Sequence, residues 1–384
     1  MEQLVTSDFK LGIIAGGQLG KMLVLAASNW DVKTFVLDTD DHCPASTCCT
    51  AFVKGNQLDY DAVIRFGGLV DMITFEIENV NIDALQRLKA EGKKIFPDPD
   101  ALAVIQDKGL QKEFYKINKI PSPPFTLFKN TDEIVTATQT GTLTYPFVQK
   151  LRKGGYDGKG VAIIHSENDL KILLDGASVI EKLVDIQTEI SVIVARNRKG
   201  EINCFPVVEM EFNEANLVEK LICPSSLDEE ILQQAKEIAI HLISAFDLCG
   251  LLAVEMFVDK DKAVWVNEVA PRPHNSGHHT IESIITSQYE QLLRAIFNFP
   301  LGSTKVKMPS VMINLLGEPN FEGPVKYEGL TDCMGIEGVK IHLYGKKITK
   351  PFRKMGHVTI IATSIEEAKK KAAIVKQKLK VKSW

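Results

Sequence analysis

The stretch QKLRKGGYDGKGVAII, Gln149 to Ile164, restricts the fold of this chain more than any other. Four glycines and three basic side chains lie between two runs, YPFVQK and VAII, that both read as strands. Glycine loses more backbone freedom on folding than any other residue, so ordering such a loop needs a compensating interaction. In P-loop and Rossmann units the glycine turn joins a strand to a helix; here it joins strand to strand and forms the tip of a hairpin. A hairpin tip can move. Gly154, Gly155, Gly158 and Gly160 would let backbone N–H groups close over a polyphosphate, with Lys150 placing a cation on it. The alternative is an ordinary long hairpin connection, which has little need of so many glycines beside basic side chains.

A chain of 384 residues calls for two or three domains at roughly 100–200 residues each. The first hundred residues read as a small parallel α/β unit: KLGIIAGGQLGKMLVLAASNW gives strand, glycine turn and helix. VKTFVLDTD is a second strand ending at Asp38, and DMITFEIENV a later one. FPDPDALAVIQDKGLQKEFYKINKIPSPPF then gives a proline-punctuated start, a helix and a stop at Pro121–Pro124, placing a boundary between residues 100 and 120. From 145 to 195 short strands alternate with one helix around SENDLKILL, an α+β lobe. SLDEEILQQAKEIAIHLISAFDL is an amphipathic helix with Ser226 or Asp228 as its cap. After Pro300, short strands precede the lysine-rich helix SIEEAKKKAAIVKQKLK, whose charges read as a solvated face.

A net charge of −4 gives no general attraction to nucleic acid or anionic membrane, so a phosphate-bearing partner must meet a local basic site. A small molecule is expected. Seven cysteines without metal-ligand spacing read as reduced thiols, the N-terminus has no secretory pattern, and no apolar run approaches the ~20 residues of a membrane span. A cytoplasmic location is expected.

Four further constellations carry chemistry. AGGQLG spaces Gly17 and Gly20 as in a dinucleotide fingerprint, with Ala15 at the first glycine position. A nicotinamide reading would put Asp38 on a ribose, but nothing later supplies a hydride-transfer site. EMFVDKDKAVWVNE reads as a hairpin turning at DKDK. Symmetric pairing then sets Glu255 opposite Val266 and makes Glu268 a diagonal neighbour, roughly 7–8 Å away. Two like charges on an apolar hairpin repel unless a cation sits between them, and oxygen ligands suit Mg²⁺ carrying substrate phosphates. A solvated outer face is the alternative. APRPHNSGHHT crowds cationic and imidazole groups that suit an anion better than zinc, and the basic cluster YGKKITKPFRKMGH reads equally as a surface turn or as a phosphate site.

AGGQLGKM, KGGYDGKG, NEVAPRPHNSGH and FRKMGH, in this order and spanning almost the whole chain, resemble the N5-carboxyaminoimidazole ribonucleotide synthetase family of ATP-grasp enzymes in purine biosynthesis. The resemblance implies α/β and α+β architecture, with an ATP-grasp fold, an N-terminal Rossmann-like pre-ATP-grasp domain and a small β-rich C-terminal domain. Its boundaries would be 1–105, 106–300 (hairpin lobe about 120–190) and 301–384. It implies ATP- and bicarbonate-dependent carboxylation of 5-aminoimidazole ribonucleotide via carboxyphosphate, with Mg²⁺, in a homodimer. Lys108 and Lys150 would hold ATP phosphates, and Gly155, Tyr156, Asp157, Gly158, Lys159, Gly160 and Val161 would form the mobile loop. Glu181, Lys182, Leu183 and Val184 would read adenine through main-chain groups, Glu189 would accept from the ribose, and Glu255 and Glu268, with Asn267 adjacent, would hold the metal. Gln18, Leu19, Glu78, Arg272, His274, Asn275, Lys346, Arg353 and Lys354 would form the ribonucleotide site, its cations taking the 5′-phosphate. Asp157, Arg272, His274 and Lys346 are the groups expected near the chemistry. Phe212 departs from the pattern, standing where many members carry a histidine, and Ala15 replaces a common glycine. The rival is another ATP-grasp ligase such as the formate-dependent glycinamide ribonucleotide transformylase. A regulatory protein that keeps the fold without turnover, and a dehydrogenase, complete the alternatives.

Overall fold

A computed structural model describes residues 6–155, 160–212 and 217–384. The N-terminal unit runs β1 (Lys10–Ile14), α1 (Gln18–Ser28), β2 (Lys33–Asp38), β3 (Ala51–Lys54), α2 (Tyr60–Gly68), β4 (Met72–Phe75), α3 (Ile82–Ala90) and β5 (Lys94–Ile95). Its strands form a parallel sheet in the order β3-β2-β1-β4-β5. KLGII and MITF are nearly continuous apolar runs because helices cover both faces of such a sheet. Strand order reverses at β1, and ligands of open parallel sheets bind beyond the strands' carboxyl ends at that point. Gln18 follows β1 and Glu78 follows β4, so both lie at this crevice.

The proline-punctuated stretch is two helices rather than one, α4 (Pro99–Ile105) and α5 (Lys108–Ile117). Asp98 caps the first, with Pro99 at its opening position. Asp107 breaks the run to cap the second, accepting from the N–H groups of Gly109 and Leu110 at 2.8 and 3.2 Å.

Next come β6 (Phe125–Phe128), α6 (Thr131–Gln139), β7 (Phe147–Leu151), β8 (Val161–Ile164) and β9 (Ser178–Lys182), whose strands form an antiparallel sheet in the order β6-β9-β7-β8. Lys150 pairs with Val161, and the Leu151 N–H donates to the Gly160 carbonyl at 2.9 Å, so the glycine stretch is the tip of a hairpin. Gly154 and Gly160 take φ values of 79° and 85°, open to glycine and costly for other residues. Tyr156, Asp157, Gly158 and Lys159 lie outside the described residues. The helix expected at SENDLKILL is a 3₁₀ turn, Glu167–Ile172.

The remaining elements are β10 (Ile186–Arg196), β11 (Ile202–Cys204), β12 (Val208–Phe212), β13 (Val218–Cys223), α7 (Glu229–Ala245), β14 (Gly250–Asp259), β15 (Val264–Ala270), α8 (Thr280–Ser283) and α9 (Gln288–Ile296). They continue through β16 (Ser310–Leu316), β17 (Gly323–Glu328), α10 (Leu330–Met334), β18 (Val339–Leu343), β19 (Ile348–Thr349), β20 (Lys354–Ile361), α11 (Ile365–Lys378) and β21 (Lys380–Ser383). One sheet runs β15-β14-β10-β12-β13-β16-β20-β18, with β11 beside β10, so it crosses the expected boundary at residue 300 without a break. Asp228 stands at the N-cap of α7 without a capping bond; its carboxylate pairs instead with Lys262 at 2.7 Å.

Alternation along β10 and β14 gives this sheet two apolar faces. Val192, Val194, Leu252 and Val254 pack with Ile238, Ala239 and Leu242 of α7, while Ile193, Ala195, Leu251 and Ala253 pack with α9 and the N-terminal unit. Each fully buried Ile, Leu or Val is worth about 1.5–3 kcal/mol. The second face also carries Ser191 and Glu255, which puts polar groups where the N-terminal crevice meets the sheet.

Candidate active site

Glu255 and Glu268 are direct cross-strand partners, not the diagonal neighbours expected from symmetric pairing. Two local features correct the register. The connection is one residue longer, with Val258 opposite Val264, and the ladder shifts between Glu255 and Met256, leaving Asn267 as the extra residue. Ser191 of β10 sits opposite Glu255 on the other side, so Ser191, Glu255 and Glu268 form one row across three strands. Glu189 is two residues along β10 from that row.

The bulge also aims Asn267, whose Oδ1 accepts from Lys150 Nζ at 2.7 Å. Lys108, the first residue of α5, reaches Glu268 at 2.5 Å, and its positive charge holds that carboxyl down at about 2. Glu255 is pushed the other way, to about 8, by burial and by the like charge of Glu268. The pair therefore shares one negative charge at neutral pH. Burial raises Glu189 to about 7.

Behind this row, Glu181 lies between two lysines. Its carboxylate oxygens meet Lys112 Nζ and Lys150 Nζ, each at 2.9 Å, and all three residues are buried. Burial opposes the charge on Glu181, but the two cations outweigh it and lower its pKa; burial dominates at Lys112 and lowers it to about 8. Lys112 was missed in the sequence. Its spacing of four from Lys108 on one helix is the signal that points to it. Lys182, of the expected adenine-reading edge, gives its N–H to the Pro124 carbonyl at 2.9 Å, and Leu183 and Val184 follow in the connection to β10. Arg152 holds Asp107 in a two-point contact at 2.8 Å and accepts the Lys108 N–H on its carbonyl, tying the root of the glycine hairpin to the start of α5.

Across the cleft, Arg272 Nε meets Glu78 Oε1 at 2.8 Å, joining the end of β15 to the N-terminal crevice. Gln18 opens α1 half-buried, and Leu19 packs partly into the core. His274 Nε2 lies 3.4 Å from Glu255 Oε1; burial and the charges of Arg272 and Lys354 push His274 down to about 3. Asn275 opens the turn Asn275–Gly277, its buried Nδ2 without a hydrogen-bond partner among the described residues. Lys346 Nζ donates to the Lys354 carbonyl at 2.8 Å. Lys354 acts electrostatically on both Glu255 and His274, which puts it in the cluster. Arg353 is not brought there: it is exposed, and its guanidinium donates to the Ile348 carbonyl at 2.7 Å. Arg353 ends the turn before β20, its N–H donating to the Lys350 carbonyl at 3.0 Å, whereas Lys354 opens the strand.

The AGGQLG turn is filled from within. Gly17 and Gly20 N–H groups each donate to Glu76 at 2.5 Å, and Gly16 N–H to Asp38 at 2.7 Å. The chain's own carboxylate thus occupies the anion seat that a dinucleotide pyrophosphate would need, which removes the dehydrogenase reading. Ala15 sits at φ 70°, a conformation that glycine adopts without strain. Phe212 packs partly into the core.

A cleft flanked by the root of a glycine hairpin, with paired carboxylates on the sheet and lysines around them, defines an ATP-grasp protein. Matches to known domain families agree: a ribonucleotide synthetase preATP-grasp domain over residues 9–106, an ATP-grasp domain over 113–289 and a phosphoribosylaminoimidazole carboxylase C-terminal domain over 310–371. The chain belongs to the N5-carboxyaminoimidazole ribonucleotide synthase family. It is 35% identical to the Bacillus subtilis N5-carboxyaminoimidazole ribonucleotide synthase over 370 residues, covering 95% of each chain. The crystal structure of the Thermotoga maritima synthetase superposes with a TM-score of 0.90 at 42% identity, over 98% of this chain and 100% of that one. An Aspergillus clavatus synthase in complex with ADP and 5-aminoimidazole ribonucleotide matches with a TM-score of 0.88 at 31% identity, over 97% and 99% of the two chains. The chain spans 65% of the Candida glabrata and 66% of the Vigna aconitifolia phosphoribosylaminoimidazole carboxylases that it also matches. Among the described residues no helix is long and apolar enough to cross a membrane.

Proposed function

We propose that this chain carboxylates the 5-amino group of 5-aminoimidazole ribonucleotide, consuming ATP and bicarbonate and releasing ADP and phosphate. The observation that carries the reading is the Glu255–Glu268 pair, set in one cleft with Lys108, Lys150 and the root of the glycine hairpin, and joined to the crevice of Glu78 through Arg272. The Aspergillus clavatus complex holds ADP and 5-aminoimidazole ribonucleotide in the same fold.

A bicarbonate oxygen attacks the γ-phosphorus, the bond to ADP breaks, and carboxyphosphate forms. The amine then bonds to the carboxyl carbon, phosphate leaves and the amine loses a proton. Lys108 and Lys150 offset the charge spreading over the transferred phosphoryl oxygens, and the glycine hairpin excludes water from a short-lived anhydride. Glu181 through Val184 face the adenine, Glu189 the ribose, and Arg272 and Lys354 the ribonucleotide. The same reading has three domains, 1–105, 106–300 and 301–384, in a cytoplasmic homodimer acting on small molecules.

Glu255 and Glu268 fit Mg²⁺: two facing carboxylates leave most of an octahedral shell to phosphates and water. Bound there, the ion would neutralise phosphate charge. Because Glu255 carries a proton up to about pH 8, Mg²⁺ must displace it. Affinity for Mg²⁺ should therefore rise with pH, by up to about tenfold per unit, and level off above 8. Calorimetry in two buffers of different ionisation enthalpy reads the released proton, and a pH-independent affinity would contradict the assignment.

ADP release tests the reaction itself. It should require both the ribonucleotide and bicarbonate; turnover with formate in place of bicarbonate would favour the glycinamide ribonucleotide ligase instead. Within the ribonucleotide site, Lys354→Ala should raise the ribonucleotide KM about tenfold or more and leave the ATP KM nearly unchanged, with Arg353→Ala weaker in effect. Equal rises in both constants would remove Lys354 from the phosphate.

A further inference from the structure

The segment HNSG, residues 274–277, gains its meaning from one hydrogen bond that can run in only one direction. The Ser276 backbone N–H donates to His274 Nδ1 at 3.3 Å, and Ser276 Oγ lies 2.9 Å from the same nitrogen. A backbone N–H has no lone pair, so Nδ1 must be the acceptor and any imidazole proton sits on Nε2. The hydroxyls extend the order inward. Ser276 Oγ gives its proton to Nδ1 and in turn accepts from Ser191 Oγ, 2.9 Å away, and both serines are buried. On the other side of the ring, Nε2 faces Glu255 at 3.4 Å. Since Ser191 is the cross-strand partner of Glu255, the four residues close a ring that begins and ends on the carboxylate row.

The backbone around the imidazole is fixed from both sides. Gln288 Oε1 accepts the His274 N–H at 2.9 Å, and Gln288 Nε2 donates to the His274 carbonyl at 2.8 Å. A Cβ on residue 277 would collide with the Gln288 amide and the Ile193 side chain, so glycine there leaves room for the amide that holds the His274 backbone. The sequence order of histidine, asparagine, serine, glycine is thus the local code for one imidazole orientation.

We propose that Ser276, backed by Ser191, is a positioning residue that locks His274 as the Nε2–H tautomer, so that His274 offers a hydrogen-bond donor, not a base, to an anionic oxygen of the carboxyl group in transfer. The assignment rests on the carboxylation reading above. In this tautomer Nε2 has no lone pair with which to take the amine's proton. The nitrogen that has one, Nδ1, is closed off from the cleft by Ser276. A donor aimed at a developing oxyanion is typically worth a factor of about 10²–10³ in rate.

Two measurements test it. ¹⁵N-histidine NMR of the intact, resting enzyme, with the His274 signals identified by their loss in His274→Gln, should show a protonated Nε2 and an unprotonated Nδ1 at neutral pH. A protonated Nδ1 overturns the assignment. In kinetics, His274→Gln carries an amide N–H near the position of Nε2 but cannot exchange protons as a base. It should keep turnover within about tenfold of wild type, while His274→Ala loses about 10²–10³. Glutamine as inactive as alanine would make His274 a base and end the proposal. Ser276→Ala should lower kcat several-fold without moving the ATP KM, and Ser276→Thr should restore it; a change in stability alone would assign the serine a merely structural part. Failure of the carboxylation reading would show separately, as wild-type ADP release independent of bicarbonate, whereas the NMR result needs no turnover.

Discussion

Glu268→Gln is expected to cut ATP turnover by a factor of about 10²–10³ or more while leaving the fold in place. Glu268 is the member of the pair that stays ionised, because Lys108 lies 2.5 Å from it; glutamine keeps the shape and removes the charge. The protonated partner, Glu255, cannot replace it without losing its own proton. ADP release and far-UV circular dichroism decide the matter together. Near-normal ADP release would refute the role of the pair, and lost ellipticity would mean that the carboxylate is structural.

The second large effect is on stability. Glu181→Ala leaves Lys112 and Lys150 facing each other in a buried pocket, and removing one partner of such an arrangement costs about 3–5 kcal/mol. Chemical denaturation should show that loss as a lower midpoint with an unchanged slope. The sign of the pH dependence follows from the lowered pKa of Glu181. Its contribution is complete above the ordinary carboxylate range and disappears as pH falls through the depressed folded value. Wild type should therefore lose stability in acid more steeply than the alanine variant. Parallel acid curves for the two proteins would show that Glu181 is not the ionised hub of the triad.

Sequence periodicity and turn chemistry were enough to place the glycine hairpin, the carboxylate strands and the parallel N-terminal sheet. They failed where geometry depends on a single residue. Symmetric pairing about DKDK misplaced Glu255 because nothing in the letters marks the longer connection or the bulge at Asn267, and the two together bring the carboxylates face to face. Lys112 escaped notice because a lysine at helix spacing ordinarily reads as a solvated residue, and its burial depends on Glu181, which is distant in sequence. Arg353 and Lys354 are equivalent as letters in FRKMGH; the turn that ends at Arg353 and the strand that opens at Lys354 separate them.

The sheet that continues from β13 into β16 has a bearing on how this architecture can be recombined. A polypeptide ended after Pro300 would leave the backbone of Val218–Cys223 without its neighbour and bare an apolar border open to pairing with other chains. The last eighty or so residues are therefore no detachable cassette. Chimeras that exchange them among relatives will keep a sound sheet only if the junction preserves the alignment of Lys220 with Ile313 and of Ile222 with Val311.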